Sequence, residues 1–327
     1  MKLNKKMKLA NASQSAEKKS TRDGYGKAMV ELGEKNKNVV ALCADLTEST
    51  RLEWFKEKFP EQFIETGVAE QNMLGMAAGL ALSGKIPFAS SFAVFSPGRN
   101  WDQLRVGVCY TNANVKIASS HAGLTVGEDG ATHQALEDIA ITRVLPNLKV
   151  IVPCDFEQAK KATIAAAKDK SPCYLRFGRE KMPQVTTENT PFVIGKADIY
   201  VEGSDVAIIA CGIMVNEALS AAKMLEKKKI NAAVVNLHTI KPLDESTIIS
   251  IAKKCGVVIT VEEHQMNGGM GSAVAELLSE NYPIPLKRIG VRDSFGESGT
   301  PEQLLAKYGL NAENIAKSAE NILKLKK

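Results

Sequence analysis

FIETGVAEQNMLGMAAGLALSG, residues 63–84, sets one carboxylate, Glu70, at the mouth of an apolar run that almost no polar residue interrupts. Met73, Leu74, Ala77, Ala78, Ala81 and Leu82 recur at steps of three and four, which predicts a helix that stops at Ser83-Gly84. Gly75 and Gly79, one turn apart, let a neighbouring helix come close. From spacing alone, a carboxylate in the first turn is a dipole partner or a capping acid.

Outward from this helix, strand and helix patterns alternate. Residues 39–44 read as a buried strand after a helical pattern through Ala28, Met29 and Leu32. Residues 86–89, 115–119 and 150–152 are short apolar runs, with helices after Pro97, after His133 and over 156–168. The polar stretch 184–191 reads as a linker between a first domain, 20–183, and a second, 192–327. The pattern restarts there, with strands over 206–210, 233–236 and 257–261 and helices near 215–227 and 272–279. The fold class expected is α/β, two domains, each a mainly parallel sheet flanked by helices.

The chain has 327 residues, 44% hydrophobic and 24% charged, enough for two cores and without an apolar run that would span a membrane. Its net charge of +5 lies in residues 1–20, which hold six lysines against one glutamate; the rest is neutral. A basic tail on a neutral body argues against nucleic-acid recognition by the folded part. Residues 1–19 read as a disordered basic leader, lacking the apolar segment of a secretory signal and the arginines of a transit peptide. The six cysteines are scattered without a Cys-x-x-Cys pair, as small buried residues of a reducing, cytoplasmic compartment.

Polar clusters mark candidate sites. Asp45 to Thr50, DLTEST, follows a predicted strand, at the end where ligands of open α/β sheets gather, though the same residues also make capped turns. Phe92 and Phe95 are aromatics whose default role is core packing. Residues 121–133 hold His121, His133, Glu128, Asp129 and three glycines. They lack a repeated metal-ligand spacing, so no metal site is expected in this chain. Arg22 and Arg179, taken singly, read as salt-bridge partners. Residues 268–271, GGMG, form a glycine turn into a helix.

FIETGVAEQN resembles the signature of the pyrimidine-binding domain of thiamine-diphosphate enzymes. The likeness continues through residues 88–95 and GEDGATHQ, residues 127–134, and is that of a transketolase. It implies that Glu70 faces a ring nitrogen of the cofactor's aminopyrimidine and shares a proton with it. Burial beside apolar side chains would raise the pKa of such a carboxyl group. It further implies that Phe92 and Phe95 wall the pyrimidine, Phe95 being the stacking partner, and that Asp45 lies near the cofactor at a subunit interface. Arg22, Ser49, His121 and Arg179 then meet substrate phosphate, Asp129 a substrate hydroxyl, and His133 the reacting carbonyl. FGESG, residues 295–299, and YGL, residues 308–310, resemble the transketolase C-terminal domain.

Full-length transketolases carry a further N-terminal domain whose Gly-Asp-Gly motif serves magnesium and the diphosphate. Here Asp23-Gly24 and Asp129-Gly130 are the only Asp-Gly pairs, and neither follows a glycine. The resemblance therefore implies the C-terminal subunit of a split transketolase. It would use thiamine diphosphate with Mg2+ held by an N-terminal partner chain, self-associate within a heterotetramer, and transfer a two-carbon ketol unit between sugar phosphates. Deoxyxylulose-phosphate synthase shares the Gly-Val-Ala-Glu-Gln form, but His121 and FGESG depart from it. The beta subunits of 2-oxo acid dehydrogenases share the split architecture but not the 127–134 loop. An idle regulatory subunit is a third alternative, against which Glu70, both histidines and Arg179 stand.

Overall fold

The computed structural model describes residues 1–11 and 17–326. In the first half of the chain, strands lie in the order Thr239–Lys241, Lys149–Ile151, Cys173–Arg176, Lys116–Ser120, Ile86–Phe92, Val39–Cys43 and Phe63–Glu65. All pair in parallel except Thr239–Lys241, which comes from the second half and runs antiparallel to Lys149–Ile151.

Both faces of this sheet are covered, so its central strands are buried along their length rather than alternating buried with exposed residues. The two-residue period still sorts the side chains. Val39, Ala41 and Cys43 pack with Tyr25, Met29, Phe55 and Ala162 on one side; Val40 and Leu42 pack with Met73, Leu74, Leu104 and Val108 on the other. The helices Thr21–Lys35 and Phe156–Lys168 cover the first face, and the Glu70–Leu82 helix with the π-helix Leu104–Tyr110 covers the second.

The second sheet has the order Lys2–Leu3, Asp198–Glu202, Ala232–Asn236, Val206–Ala210, Val258–Gln265 and Leu286–Val291. Its last four strands are parallel, whereas Asp198–Glu202 runs antiparallel to Ala232–Asn236. Met214–Lys227 and Ala312–Leu323 lie on one face, Glu245–Cys255 and Met270–Asn281 on the other. One apolar cluster passes from Leu42 and Leu74 to Val235 and Leu277, so the two halves share core.

The α/β layers follow the periodicity. The disordered leader does not hold for the residues described. Lys2–Leu3 pairs antiparallel with Asp198–Glu202, Met7 is buried, and Lys18–Lys19 pairs with Met182–Pro183. The cause is an open sheet edge, which offers unpaired backbone groups to any nearby strand. Composition does not reveal such an edge. Residues 12–16 of the expected leader lie outside those described. All six cysteines are buried free thiols.

Candidate active site

The carboxyl ends of parallel strands leave the first sheet along one edge. The turn with Asp45 to Arg51 follows Val39–Cys43; Phe92 to Arg99 end Ile86–Phe92 and continue beyond it; His121 to His133 follow Lys116–Ser120; Arg179 follows Cys173–Arg176. Glu70 opens its helix just past Phe63–Glu65. Three residues here, Asp45, Arg51 and His121, are non-glycine residues with positive φ, at 59°, 68° and 57°. Such backbone is uncommon and collects at functional sites.

Glu70 is 4% exposed. Its Oε1 accepts from Arg99 Nη1 at 3.0 Å, and its backbone carbonyl accepts from Asn100 Nδ2 at 3.2 Å. The burial foreseen is present, but the apolar surround is interrupted by a guanidinium. Arg99 also lies over Phe95, 4.2 Å from the ring centroid. Glu70, Arg99, Val68, Ala69, Gln71 and Asn72 line a cavity of about 600 Å³.

Behind Phe95 the rings form a stack. Phe92 lies 5.9 Å from Phe95 at 16° and 3.7 Å from the His121 ring at 23°. His133 stands edge-on to Phe95 at 5.5 Å. Phe92 is thus covered by His121, and Phe95 is the more accessible ring. Thr132 Oγ1 lies 2.9 Å from His133 Nδ1, and Ser120 Oγ 2.8 Å from His121 Nδ1.

Beyond His121 the site is cationic. Burial, reinforced by Arg22, Arg179, Arg51 and His133, pushes the His121 pKa down to about 2, so its imidazole is neutral. Arg22 Nη1 donates to the Ser49 carbonyl at 2.9 Å, and Arg51 Nη1 to the Glu48 carbonyl at 3.1 Å. Arg51 Nε pairs with Asp23 at 2.7 Å. Burial first, then Arg51, lowers the Arg22 pKa; Asp23 opposes this and Arg179 adds to it. Arg22 Nε is buried without a hydrogen-bond partner. Crowded, partly unpaired guanidinia of this kind suit a multivalent anion.

Arg179 donates from Nη1 to the Val126 carbonyl at 2.6 Å and lies 3.6 Å from Asp129 and 3.8 Å from Glu128. Asp129 is therefore beside Arg179. Asp45 sits at the rim, exposed, with its backbone N–H donated to Glu65 Oε1 at 2.8 Å. Ser49 meets Arg22 through its carbonyl. The structure thus gathers Arg22, Ser49, His121 and Arg179, joins them through Phe92 and Phe95 to His133, and reaches Glu70 through Arg99.

Several participants escaped the sequence reading. Arg99 follows Phe95 by four residues, across a tight turn that lays the cation over the ring. Arg51 closes the same polar turn as Ser49. The 121–133 loop is held from the second half of the chain: Glu263 accepts the Thr125 N–H, and Gln134 Nε2 donates to the Glu297 carbonyl at 2.9 Å and to Leu124 at 3.2 Å. A consecutive Glu262-Glu263 inside an apolar strand was the available signal for that contact. Among the described residues no group of three or more His, Cys, Asp or Glu side chains is arranged to hold a metal ion.

Comparison with known proteins gives the family. Residues 17–184 match the transketolase pyrimidine-binding domain and residues 195–315 the transketolase C-terminal domain. A putative transketolase C-terminal section from Methanocaldococcus jannaschii is 49% identical, covering 91% of this chain and 95% of that protein. A 6-deoxy-6-sulfo-D-fructose transketolase subunit from Clostridium sp. is 43% identical, covering 93% and 95%. A solved structure described as a split gene transketolase, inactive beta4 tetramer, is 49% identical with a TM-score of 0.89, covering 94% of this chain and 99% of its own. With both domain families matched in order along nearly its whole length, the chain belongs to the transketolase family.

Proposed function

We propose that this chain is the C-terminal subunit of a two-chain transketolase, which moves a two-carbon ketol unit from a ketose phosphate to an aldose phosphate with thiamine diphosphate. The observation that carries the reading is a buried carboxylate, Glu70, in the wall of a cavity beside an accessible aromatic ring, with an arginine cluster at the far end of the same ring stack.

The residues present fit the pyrimidine end of the cofactor. Glu70 would accept a hydrogen bond from a ring nitrogen and Phe95 would stack. When bound, the cofactor supplies the nucleophilic carbon that opens the ketose and carries its two-carbon fragment. The protein's own work is positional and protic. Glu70 would hold the proton shared with a pyrimidine ring nitrogen; the neutral imidazole of His121 and the edge-on His133 bound the space beside the stack; Arg22, Arg51 and Arg179 would hold the terminal anion of the sugar. The relative named for a sulfosugar acts on a substrate that ends in a sulfonate. A sulfonate donor therefore belongs in the assay beside the phosphate.

The diphosphate and Mg2+ fall to an N-terminal partner subunit in this reading. The helix that Glu70 opens and the chain around it suit assembly: Val68 before its start and Leu82 at its far end are 68% and 69% exposed, Tyr110 at the end of the π-helix is 85% exposed, and Gly75 and Gly79 face open space. Apolar groups so placed mark an interaction surface, one that would take the partner and a second copy of this chain. The buried free thiols suit a reducing cytoplasm.

The test is calorimetry with thiamine diphosphate and Mg2+ on the chain alone and mixed with the N-terminal transketolase subunit of the same genome. The same mixture is then assayed for ketol transfer from xylulose 5-phosphate to ribose 5-phosphate. Binding and turnover are expected only in the mixture. Tight cofactor binding by the lone chain sinks the two-chain reading. Condensation of pyruvate with glyceraldehyde 3-phosphate, in place of ketol transfer, makes it a deoxyxylulose-phosphate synthase.

A further inference from the structure

Arg99 occupies an unusual position. Its backbone N–H donates to the Phe95 carbonyl at 2.7 Å, so residues 95–99 close one hydrogen-bonded turn that returns the side chain over the Phe95 ring. The guanidinium then lies 4.2 Å from that ring centroid and donates to Glu70 Oε1 at 3.0 Å. It lines the Glu70 cavity and is 51% exposed, while Glu70 is 4% exposed.

A buried carboxylate without a partner is costly, so a cover at this site is physically required. A guanidinium is flat, cationic and delocalised; it stacks on an aromatic face and gives in-plane N–H groups to a carboxylate. A protonated aminopyrimidine offers the same two contacts, a flat π-face and a ring N–H. Both cannot hold the same oxygen and the same ring face at once. We propose that Arg99 is a resident stand-in for the cofactor's pyrimidine, which covers Glu70 in the free subunit and must rotate out when the ring enters. The inference rests on the cofactor reading above.

Neighbouring contacts make such an exchange feasible. Asn100 is fully buried and donates from Nδ2 to the Glu70 carbonyl and to Ser96 Oγ at 3.0 Å. The backbone at 99–100 is thereby pinned to the start of the helix, whereas the Arg99 side chain reaches its site from the solvent side. A half-exposed ion pair is weak, which lets it yield to a ligand.

Two measurements test the proposal. In the lone chain, melting temperatures of Glu70→Gln, Arg99→Met and the double variant form a cycle that needs no cofactor. Arg99→Met is expected to lower the melting temperature in the wild-type background and to have little effect once Glu70 is Gln; strictly additive changes overturn the ion pair. In the complex with the N-terminal subunit, thiamine diphosphate binding at saturating Mg2+ is followed by calorimetry and stopped-flow fluorescence. Arg99→Met is expected to tighten binding about two- to five-fold, chiefly through a faster on-rate, as removal of an exposed pair allows. Arg99→Lys, which keeps the charge and loses the planar fork, falls between.

Weaker or unchanged cofactor binding by Arg99→Met in a complex whose wild type binds normally overturns the stand-in and leaves the cofactor reading intact. A wild-type complex that binds no thiamine diphosphate overturns both.

Discussion

Glu70 begins its helix after Ala69, which supplies no side-chain cap, and its carboxylate turns to Arg99 instead of to the helix's own N–H groups. The capping role that spacing allows is therefore not what this carboxylate does. Glu70→Gln keeps the shape and removes the proton acceptor. In the assembled enzyme turnover is expected to fall ~10²- to 10⁴-fold, with a melting temperature close to wild type; near-normal turnover would leave Glu70 as a partner for Arg99 only. Arg179 carries a second expectation. Loss of a charge-assisted bond costs about 1.5–3 kcal/mol, so Arg179→Ala should raise KM for xylulose 5-phosphate by about ten- to a hundred-fold. Unphosphorylated hydroxypyruvate should be nearly spared. Because Arg179 also holds the Val126 carbonyl, an equal loss with both donors assigns it to holding the loop. At this scale the burial of Glu70 was legible, since an apolar helix begins at it. Its partner was not: Arg99 lies 29 residues away and meets it only through the fold.

Among the elements, the 121–133 loop is shaped by glycines at positive φ, Gly123, Gly127 and Gly130 at 86°, 84° and 75°, and clamped from the second half of the chain. A side chain at Gly123 would collide with the Glu263 carboxylate, and one at Gly130 would meet Ser298 Oγ at 2.7 Å. The FGESG resemblance thus marks a segment that packs against the loop. The glycine turn at 268–271 leads, as expected, into a helix, whose first N–H groups are donors for an anion. The anion there is the chain's own Glu262, which accepts from Met270 N at 2.6 Å and Gly271 N at 2.8 Å, a pairing no local pattern announces. Burial, opposed by Arg176 and by the Thr125 N–H, raises the Glu263 pKa from 4.5 to about 7. Between those values the folded state keeps a proton that the unfolded chain has released. This contribution to stability is full below about 4.5 and is lost as pH rises through about 7. Glu263→Gln removes the linkage but keeps an acceptor for Thr125. The melting temperature of the variant relative to wild type is therefore expected to rise by a few degrees between pH 5 and 8 in differential scanning calorimetry. A gap that stays constant with pH means that Glu263 is ionised throughout beside Arg176.

For the whole molecule, the two halves are joined in ways that no single segment reveals. Thr239–Lys241 leaves the second half to complete the first sheet, and one apolar cluster spans both. The layers were legible because each strand and helix carries its own period; these joints were not, because they bring together residues far apart in the sequence, such as Thr239 with Ile151. The N-terminal arm shows the same limit, since its lysines predict a solvated tail while its backbone finds the sheet edge. Asn4 N donates to the Tyr200 carbonyl at 3.0 Å, Asn4 Nδ2 to Ile199 at 2.9 Å, and Ala10 N to Val185 at 2.9 Å. The Lys8 carbonyl accepts from Thr187 and Thr190 Oγ1, which fastens the arm to the 184–191 segment. Met7 is buried in the second core, where a side chain of its size contributes about 1.5–3 kcal/mol. Deleting residues 1–10 should therefore lower the melting temperature by several degrees. It also uncovers the Asp198–Glu202 strand, whose free edge invites pairing between molecules. The truncated chain is thus expected to form larger species in size-exclusion chromatography with light scattering, at concentrations where the full chain does not. If stability and size are both unchanged, the arm contributes no net binding to the edge; a drop in melting temperature without self-association means that the edge is protected by another element.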